Sequence, residues 1–443
     1  MKRMGRGMLA VGVAAGIAAG GMAPGPALAA DPFQEIDRRF QERQQQGEDA
    51  LRSLHEEYRG KRQAMESQWK QREREIEARW DRTKQAIEQK WDRALRSTPK
   101  DWVDYSQTHE TRSVVDFEQG TVEVAALVPL TEVSAVQPAW FLSLTRAGLT
   151  LDGLRAVPAL LAPLPDQAQL RLTALPASWS RLLHQFEQIF DQEAAPGRTA
   201  LAGQVVTREG KPVDRQTVKA YVQDEVLPAA VVEQKPVESR DGVARVKVTA
   251  KIAMTPDHIK RRALQYQDMV PPYAKQHGLD PRLLYAVIHT ESFFNPRAQS
   301  PSPTYGLMQL VPRAAARDAY NFLYKEDRVL DDEYLLDPAH NVELGAAYLR
   351  LLRKQLVGGM EPGDKQTSLL ICAYKWGPAN VQNKVLKQVR VQDLTDTQVL
   401  SLLAQRTPED TRLYLRQVRD RMGLYDELAS AQSPAPVQPL DRP

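Results

Sequence analysis

Cysteine is almost absent from this chain: 443 residues contain one, Cys372. A single thiol excludes an internal disulfide framework and any multi-thiolate zinc site. Histidine is scarce as well. The seven present form no HExxH pair and have no CxxC partner, so no metal site and no cofactor are expected. Charge of one sign is also missing. The 59 Lys+Arg and 56 Asp+Glu leave a formal +3, which argues against a dedicated nucleic-acid binder. After residue 30 no apolar run approaches the roughly 20 residues of a membrane-spanning helix. Proline is absent from residues 34–97, where glycine occurs only as Gly47 and Gly60. What remains is ordinary for a soluble chain with a packed core, with 26% charged and 42% apolar residues. The length allows two or three domains of roughly 100–200 residues each.

The two ends stand apart in composition. Lys2, Arg3 and Arg6 precede an uncharged run from Met8 to Met22, and Ala27-Leu28-Ala29 supplies a small-x-small cleavage site. That order reads as a secretory signal peptide over residues 1–30, cleaved near Ala29/Ala30, with a periplasmic mature protein. Cys372 is far from this site, so no lipid anchor is evident. The tail 429–443, with Pro434, Pro436, Pro439 and Pro443, is expected to be disordered.

Residues 31–98 are dense in Gln, Glu, Arg and Lys. Leu54, Met65, Ile76 and Ile87 recur at intervals of eleven, and Tyr58, Trp69, Trp80 and Trp91 repeat the same interval four residues later. Eleven residues in three turns keep one stripe nearly straight on a helix. The repeat predicts one long helix, ended by Pro99, with a narrow aromatic-aliphatic seam. A lone helix cannot bury that seam. Its partner is another copy as a coiled coil, the following domain, or an envelope protein outside the chain. The mixture of acidic and basic residues disfavours a membrane surface or nucleic acid.

Between 99 and 254 the pattern turns to strands. Residues 114–124 alternate around Gln119-Gly120 and predict a β-hairpin. Residues 130–200 are expected to hold one or two helices, and Ala200–Val206 is a possible strand. Over 240–254, Val246, Val248, Ala250, Ile252 and Met254 point one way and Arg245, Lys247, Thr249 and Lys251 the other, as in a half-buried strand. Nothing here pairs a nucleophile with a base, so this small α+β segment reads as a binding or spacer module.

The chemistry lies beyond residue 255. Asp280-Pro281 is a helix start, and Leu284, Val287, Ile288 and Glu291 fall at i, i+3, i+4 and i+7. Glu291 therefore sits on the apolar stripe, close to the helix end that Asn295-Pro296 enforces. Burial and the negative end of the helix dipole both disfavour its ionised form. That suits a general acid.

Residues 291–310 read ESFFNPRAQSPSPTYGLMQL. This run resembles the ESxxNPxAxSxxxAxGLMQ motifs of the lytic transglycosylases of the lysozyme-like superfamily. It matches at Glu291, Ser292, Asn295, Pro296, Ala298, Ser300, Gly306, Leu307, Met308 and Gln309, with Thr304 in place of the usual Ala. Asp337-Pro338, Asn341, Gly345 and Tyr348-Leu349 resemble the family's DPxxNIxxGxxYL helix. Residues 373–377, AYKWG, resemble its AYNxG motif, and Thr411-Arg412 with Tyr414 its late TRxY helix. Residues 102–124 and 203–206 resemble the domain that precedes the catalytic one in the transglycosylase C branch. The resemblance covers roughly residues 100–427.

The resemblance implies an α+β multidomain protein. A long N-terminal helix (31–98) and a small α+β domain (99–254) precede a mainly α, lysozyme-like catalytic domain (255–428). It implies cleavage of the β-1,4 bond between N-acetylmuramic acid and N-acetylglucosamine in peptidoglycan strands, closing a 1,6-anhydro ring. Glu291 would act as acid and then as base. Ser300 and Gln309 would hydrogen-bond N-acetyl groups, Met308 would form an apolar wall, and Tyr374 and Tyr414 would orient Glu291. A two-carboxylate glycosidase would instead need a second acid across the cleft. Asp318, Asp327, Asp331 and Asp332 are available, but they read as an exposed acidic loop. One departure bears on the chemistry: Lys375 stands where the family has Asn. A lysine near Glu291 would lower its pKa; one pointing outward would not. A hydrolytic muramidase and a non-catalytic peptidoglycan-binding scaffold are the competing expectations.

Overall fold

A computed structural model describes residues 32–430 except 130–175, 196, 234–235, 238 and 301. The expected signal peptide and the Pro-rich end of the tail lie outside the described residues. By its internal contacts the chain divides after Glu66, with Ser67 opening the second unit.

Helix α1 runs from Pro32 to Glu88. Its seam has two fates. In the first unit Leu54 and Tyr58 are 62% and 53% exposed. In the second, Trp69 enters the main core, and Ile87 packs with Trp91, Ala125 and Leu127 in a small satellite cluster. From Trp69 onward the partner is thus the following domain, one of the three expected. Arg72 and Arg79, two turns apart, both hold Asp332 at 3.3 Å.

The helix stops at Glu88, about ten residues before Pro99, and local contacts explain why. The Trp91 indole donates to the His109 carbonyl at 2.7 Å, the Arg112 guanidinium lies 4.3 Å from the Trp91 ring centroid, and Leu95 N–H donates to the Tyr105 hydroxyl at 2.8 Å. These bonds draw residues 89–98 off the helical path and onto the sheet.

That sheet contains β1 (Asp101–Tyr105), β2 (Thr111–Asp116), β3 (Thr121–Pro129), β6 (Val231–Val232) and β7 (Arg245–Ala253) in the order β1-β2-β3-β7-β6, all antiparallel. A separate short pair is β4 (Glu193–Ala195) with β5 (Arg198–Thr199). The expected hairpin is β2–β3, turning at Gly120 with φ 65°. In β7, Val246, Val248, Ala250 and Ile252 are buried as the alternation requires. Arg245 departs from the solvent-facing set. It is buried and paired to both Asp241 carboxylate oxygens at 2.7 Å. Helix α2 (Pro176–Asp191) covers the sheet, and its buried Gln185 bonds Thr111 at 2.6 Å and Ser113 at 3.3 Å. Ala200–Val206 is not a strand but a turn, with one bridge from Val206 to Pro212.

The rest is helical: α3 (His258–Leu264), α4 (Val270–His277), α5 (Pro281–Ser292), α6 (Arg317–Tyr324), α7 (Asp332–Leu336), α8 (Pro338–Leu356), α9 (Asp364–Trp376), α10 (Pro378–Lys384), α11 (Asp396–Arg406), α12 (Glu409–Met422) and α13 (Asp426–Ser430). It is joined to the sheet by buried polar bonds. Arg262 donates to the Phe117 carbonyl at 2.7 Å, and Asn295 to the Thr98 carbonyl at 3.2 Å. Gly120 faces His258 so closely that a Cβ there would meet the imidazole at 2.7 Å.

Candidate active site

Helix α5 begins as its sequence demands: the Asp280 carboxylate accepts from Arg282 N–H at 2.9 Å, and Pro281 occupies the first turn. Leu284, Val287 and Ile288 are fully buried. One turn further, Glu291 is only partly covered, at the end of the apolar stripe. The helix closes in left-handed backbone at Phe293 (φ 49°) and Phe294 (φ 62°). Each bulky residue in that region costs on the order of 1–2 kcal/mol. The cost is sustained by packing, since both rings are buried.

Most of the 291–310 motif is a brace. The Ser292 hydroxyl bonds the Ile288 carbonyl at 3.0 Å and the Leu307 carbonyl at 2.8 Å, tying the helix end to the loop. Asn341 on α8 accepts from Met308 N–H at 2.8 Å and donates to the Tyr305 and Leu335 carbonyls at 2.9 and 2.7 Å. Gly306 (φ 73°) lies against Asn341, leaving no room for a Cβ. Gly345 lies equally close under the Met308 side chain. Met308 is fully buried, so its side chain packs behind the site and does not form an open wall; its carbonyl accepts from the Tyr374 hydroxyl at 2.6 Å.

Ser300 and Gln309 are likewise engaged within the loop. Gln309 holds left-handed backbone (φ 48°). Its amide donates to the Ala298 and Gly306 carbonyls at 3.0 and 2.9 Å, and its Oε1 accepts from Thr304 at 2.6 Å. The Thr304 hydroxyl also meets the Ser300 hydroxyl at 2.8 Å, and Ser300 bonds the Ser302 carbonyl. Thr304, where the resemblance has Ala, is the link between the two residues.

Around Glu291 the polar groups are less committed. Desolvation raises its carboxyl above the ordinary range, while the Lys375 ammonium and the Tyr414 hydroxyl pull it back down. Tyr414 is 4% exposed and its hydroxyl, though it acts on Glu291, has no partner at strict hydrogen-bond geometry. The contact is therefore a loose one. Burial and the Glu291 charge push both Tyr374 and Tyr414 well above their ordinary values. Tyr348 packs edge-on to Tyr374 at 5.7 Å. It went unassigned in the sequence, although it stands three residues after Gly345 in the same helix motif. Lys375 is exposed, with Nζ 5.2 Å from the Tyr414 ring centroid. Cys372 is buried, which pushes its thiol up to about 12.

The four candidate second carboxylates have separate roles. Asp327 pairs with Arg317, Asp332 with Arg72 and Arg79, and Asp331 caps α7 through Tyr334 N–H at 2.9 Å. Asp318 is exposed on α6, its carboxyl raised by desolvation. A cavity of about 950 Å³ opens elsewhere, beside Arg297, Gln299, Asp332, Tyr334 and His340; Glu291, Tyr374, Lys375 and Tyr414 do not line it. Among the described residues no cluster of His, Cys, Asp and Glu could hold a metal ion.

Comparison with known proteins places these residues. Positions 268–395 match the transglycosylase SLT domain, and positions 65–139 match the N-terminal domain of membrane-bound lytic murein transglycosylase C. Among solved structures, an inactive mutant of the lytic transglycosylase Slt from Pseudomonas aeruginosa is 25% identical with a TM-score of 0.31, covering 41% of this chain and 25% of its own. The 70 kDa soluble lytic transglycosylase from Escherichia coli is 23% identical with a TM-score of 0.33, covering 39% and 26%. This chain thus spans about a quarter of the length of each. The chain thus carries a transglycosylase SLT domain, preceded by a segment similar to the N-terminal domain of membrane-bound lytic murein transglycosylase C.

Proposed function

We propose that the protein is an exported peptidoglycan lytic transglycosylase and that Glu291 is its catalytic acid and base. The observation that carries this reading is a partly covered carboxyl at a buried helix end, raised by desolvation and faced by Tyr414. A carboxyl whose pKa is raised by burial can protonate the glycosidic oxygen as the bond from muramoyl C1 to that oxygen breaks. The resulting carboxylate takes the proton from the muramoyl C6 hydroxyl as O6 bonds to C1. The 1,6-anhydro ring closes, Glu291 regains its proton and no water is consumed. Because the attacking hydroxyl belongs to the substrate, one carboxylate suffices. Digestion of purified sacculi tests this: anhydro-muropeptides form with the wild type and vanish in Glu291→Gln.

The hydrolytic alternative has one observation in its favour. Asp318 is raised by desolvation and acts on Tyr348, which packs against Tyr374. Reducing-end products abolished in Asp318→Asn would decide for it.

Action outside the cytoplasm follows from the basic, apolar, small-residue order of positions 1–30. Among the described residues no helix is long and apolar enough to cross a membrane. The exposed seam residues Leu54 and Tyr58 are what α1 offers a second copy or an envelope partner. Sedimentation of the chain with and without residues 34–66 distinguishes the two, since only self-association changes the mass of the purified protein.

A further inference from the structure

The last turn of α9 carries two neighbours with different roles. Tyr374 turns inward to the Met308 carbonyl, while Lys375 stays exposed over the Tyr414 ring. Lys100, by contrast, which lies over Phe293, is held by Glu118 at 2.5 Å. Lys375 has no ion pair among the described residues. A cation resting on a ring at an exposed site is held by only about 0.5–1 kcal/mol, so its ammonium is available to another anion. The sugars of the strand proposed as substrate are neutral. Its anions are carboxylates, either on a muramoyl lactyl group that carries no peptide or on an attached peptide.

We propose that Lys375 is a specificity-determining residue that takes a carboxylate of the glycan strand beside Glu291, so that carboxylate-bearing strands are preferred. This rests on the transglycosylase reading of the same site. An asparagine at this position would donate a hydrogen bond but no charge, and the preference would be absent.

The test compares kcat/KM on three purified substrates: peptide-bearing strands, strands stripped of peptide with the lactyl carboxylate free, and stripped strands with that carboxylate converted to a methylamide. Wild type should favour one or both anionic substrates by about 3- to 5-fold, the range of an exposed ion pair, and more as salt is lowered. Which anionic substrate leads identifies the carboxylate. Lys375→Arg should keep the ratio and Lys375→Asn should bring it to one. A Lys375→Asn variant that changes all three rates by one common factor, or a wild type without preference, overturns the inference while leaving the catalytic reading intact. A wild type inactive on all three overturns both.

Discussion

The loop from Ala298 to Leu310 and the surroundings of the Glu291 carboxyl treat their polar groups in opposite ways. From Ala298 to Leu310, Ser300, Thr304 and Gln309 are bonded to one another and to loop carbonyls. At the Glu291 end, the Tyr414 hydroxyl is buried without a partner at strict geometry and the carboxyl faces it only loosely. Buried polar groups are ordinarily satisfied, and exceptions cluster where a ligand completes them. The contrast separates residues that hold the frame from the residues proposed to meet substrate.

The largest effect expected from this contrast is at Glu291. Glu291→Gln should lower turnover on the order of 10³-fold, within the range of general acid–base catalysis. It should also raise Tm near neutral pH. A carboxyl whose folded pKa is raised contributes stability at low pH and loses it as pH rises through that pKa. The glutamine has no charged form to desolvate, so its advantage should appear above the ordinary carboxylate range and disappear in acid.

His289, on the same helix, should slope the other way. Burial among Phe293, Phe294 and Tyr425 lowers it to about 3, and burial lowers His258 and His277 to about 4. A folded pKa below the unfolded 6.5 means stability is lost as pH falls from 6.5 toward 4. Thermal melts across pH should therefore show acid destabilisation that the Glu291 variant does not relieve.

On the frame side, Gln309→Ala removes one of the two donors to each of the Ala298 and Gly306 carbonyls, which keep their backbone N–H partners, and should cost about 1–3 kcal/mol for the two lost bonds, with activity falling only as folded protein is lost. Tyr414→Phe should do the reverse. Stability should hold, turnover should fall about tenfold, and the alkaline limb of the pH–rate profile should move upward, because the hydroxyl that lowers the Glu291 pKa is gone. If Tyr414→Phe unfolds the protein, or Gln309→Ala leaves Tm intact while abolishing turnover, the division fails. The smallest effect is at Thr304→Ala, about 0.5–1.5 kcal/mol for the lost bridge with turnover retained, read by denaturant unfolding.

Local chemistry made part of this legible in advance. The Asp280-Pro281 start, the stripe ending at Glu291 and the alternation of β7 each reflect a period or a cap that a few neighbours set. The bounds of α1 were not legible, because the repeat continues through Trp91 while the helix does not. Bonds from His109, Arg112 and Tyr105, distant in sequence or beyond the next turn, outbid the helical ones. Arg245 also looked like a solvent-facing residue until Asp241 supplied its partner.

The periodic elements, the family motifs and the position of a lone carboxyl at a buried helix end were legible in the chain, since spacing and composition are local properties. What each motif residue touches was settled by packing. Whether Gln309, Met308 or Lys375 is committed or free depends on which atoms from Thr304, Gly345 and Tyr414 arrive beside it. No spacing along one chain encodes that, because those neighbours are brought together by packing across helices.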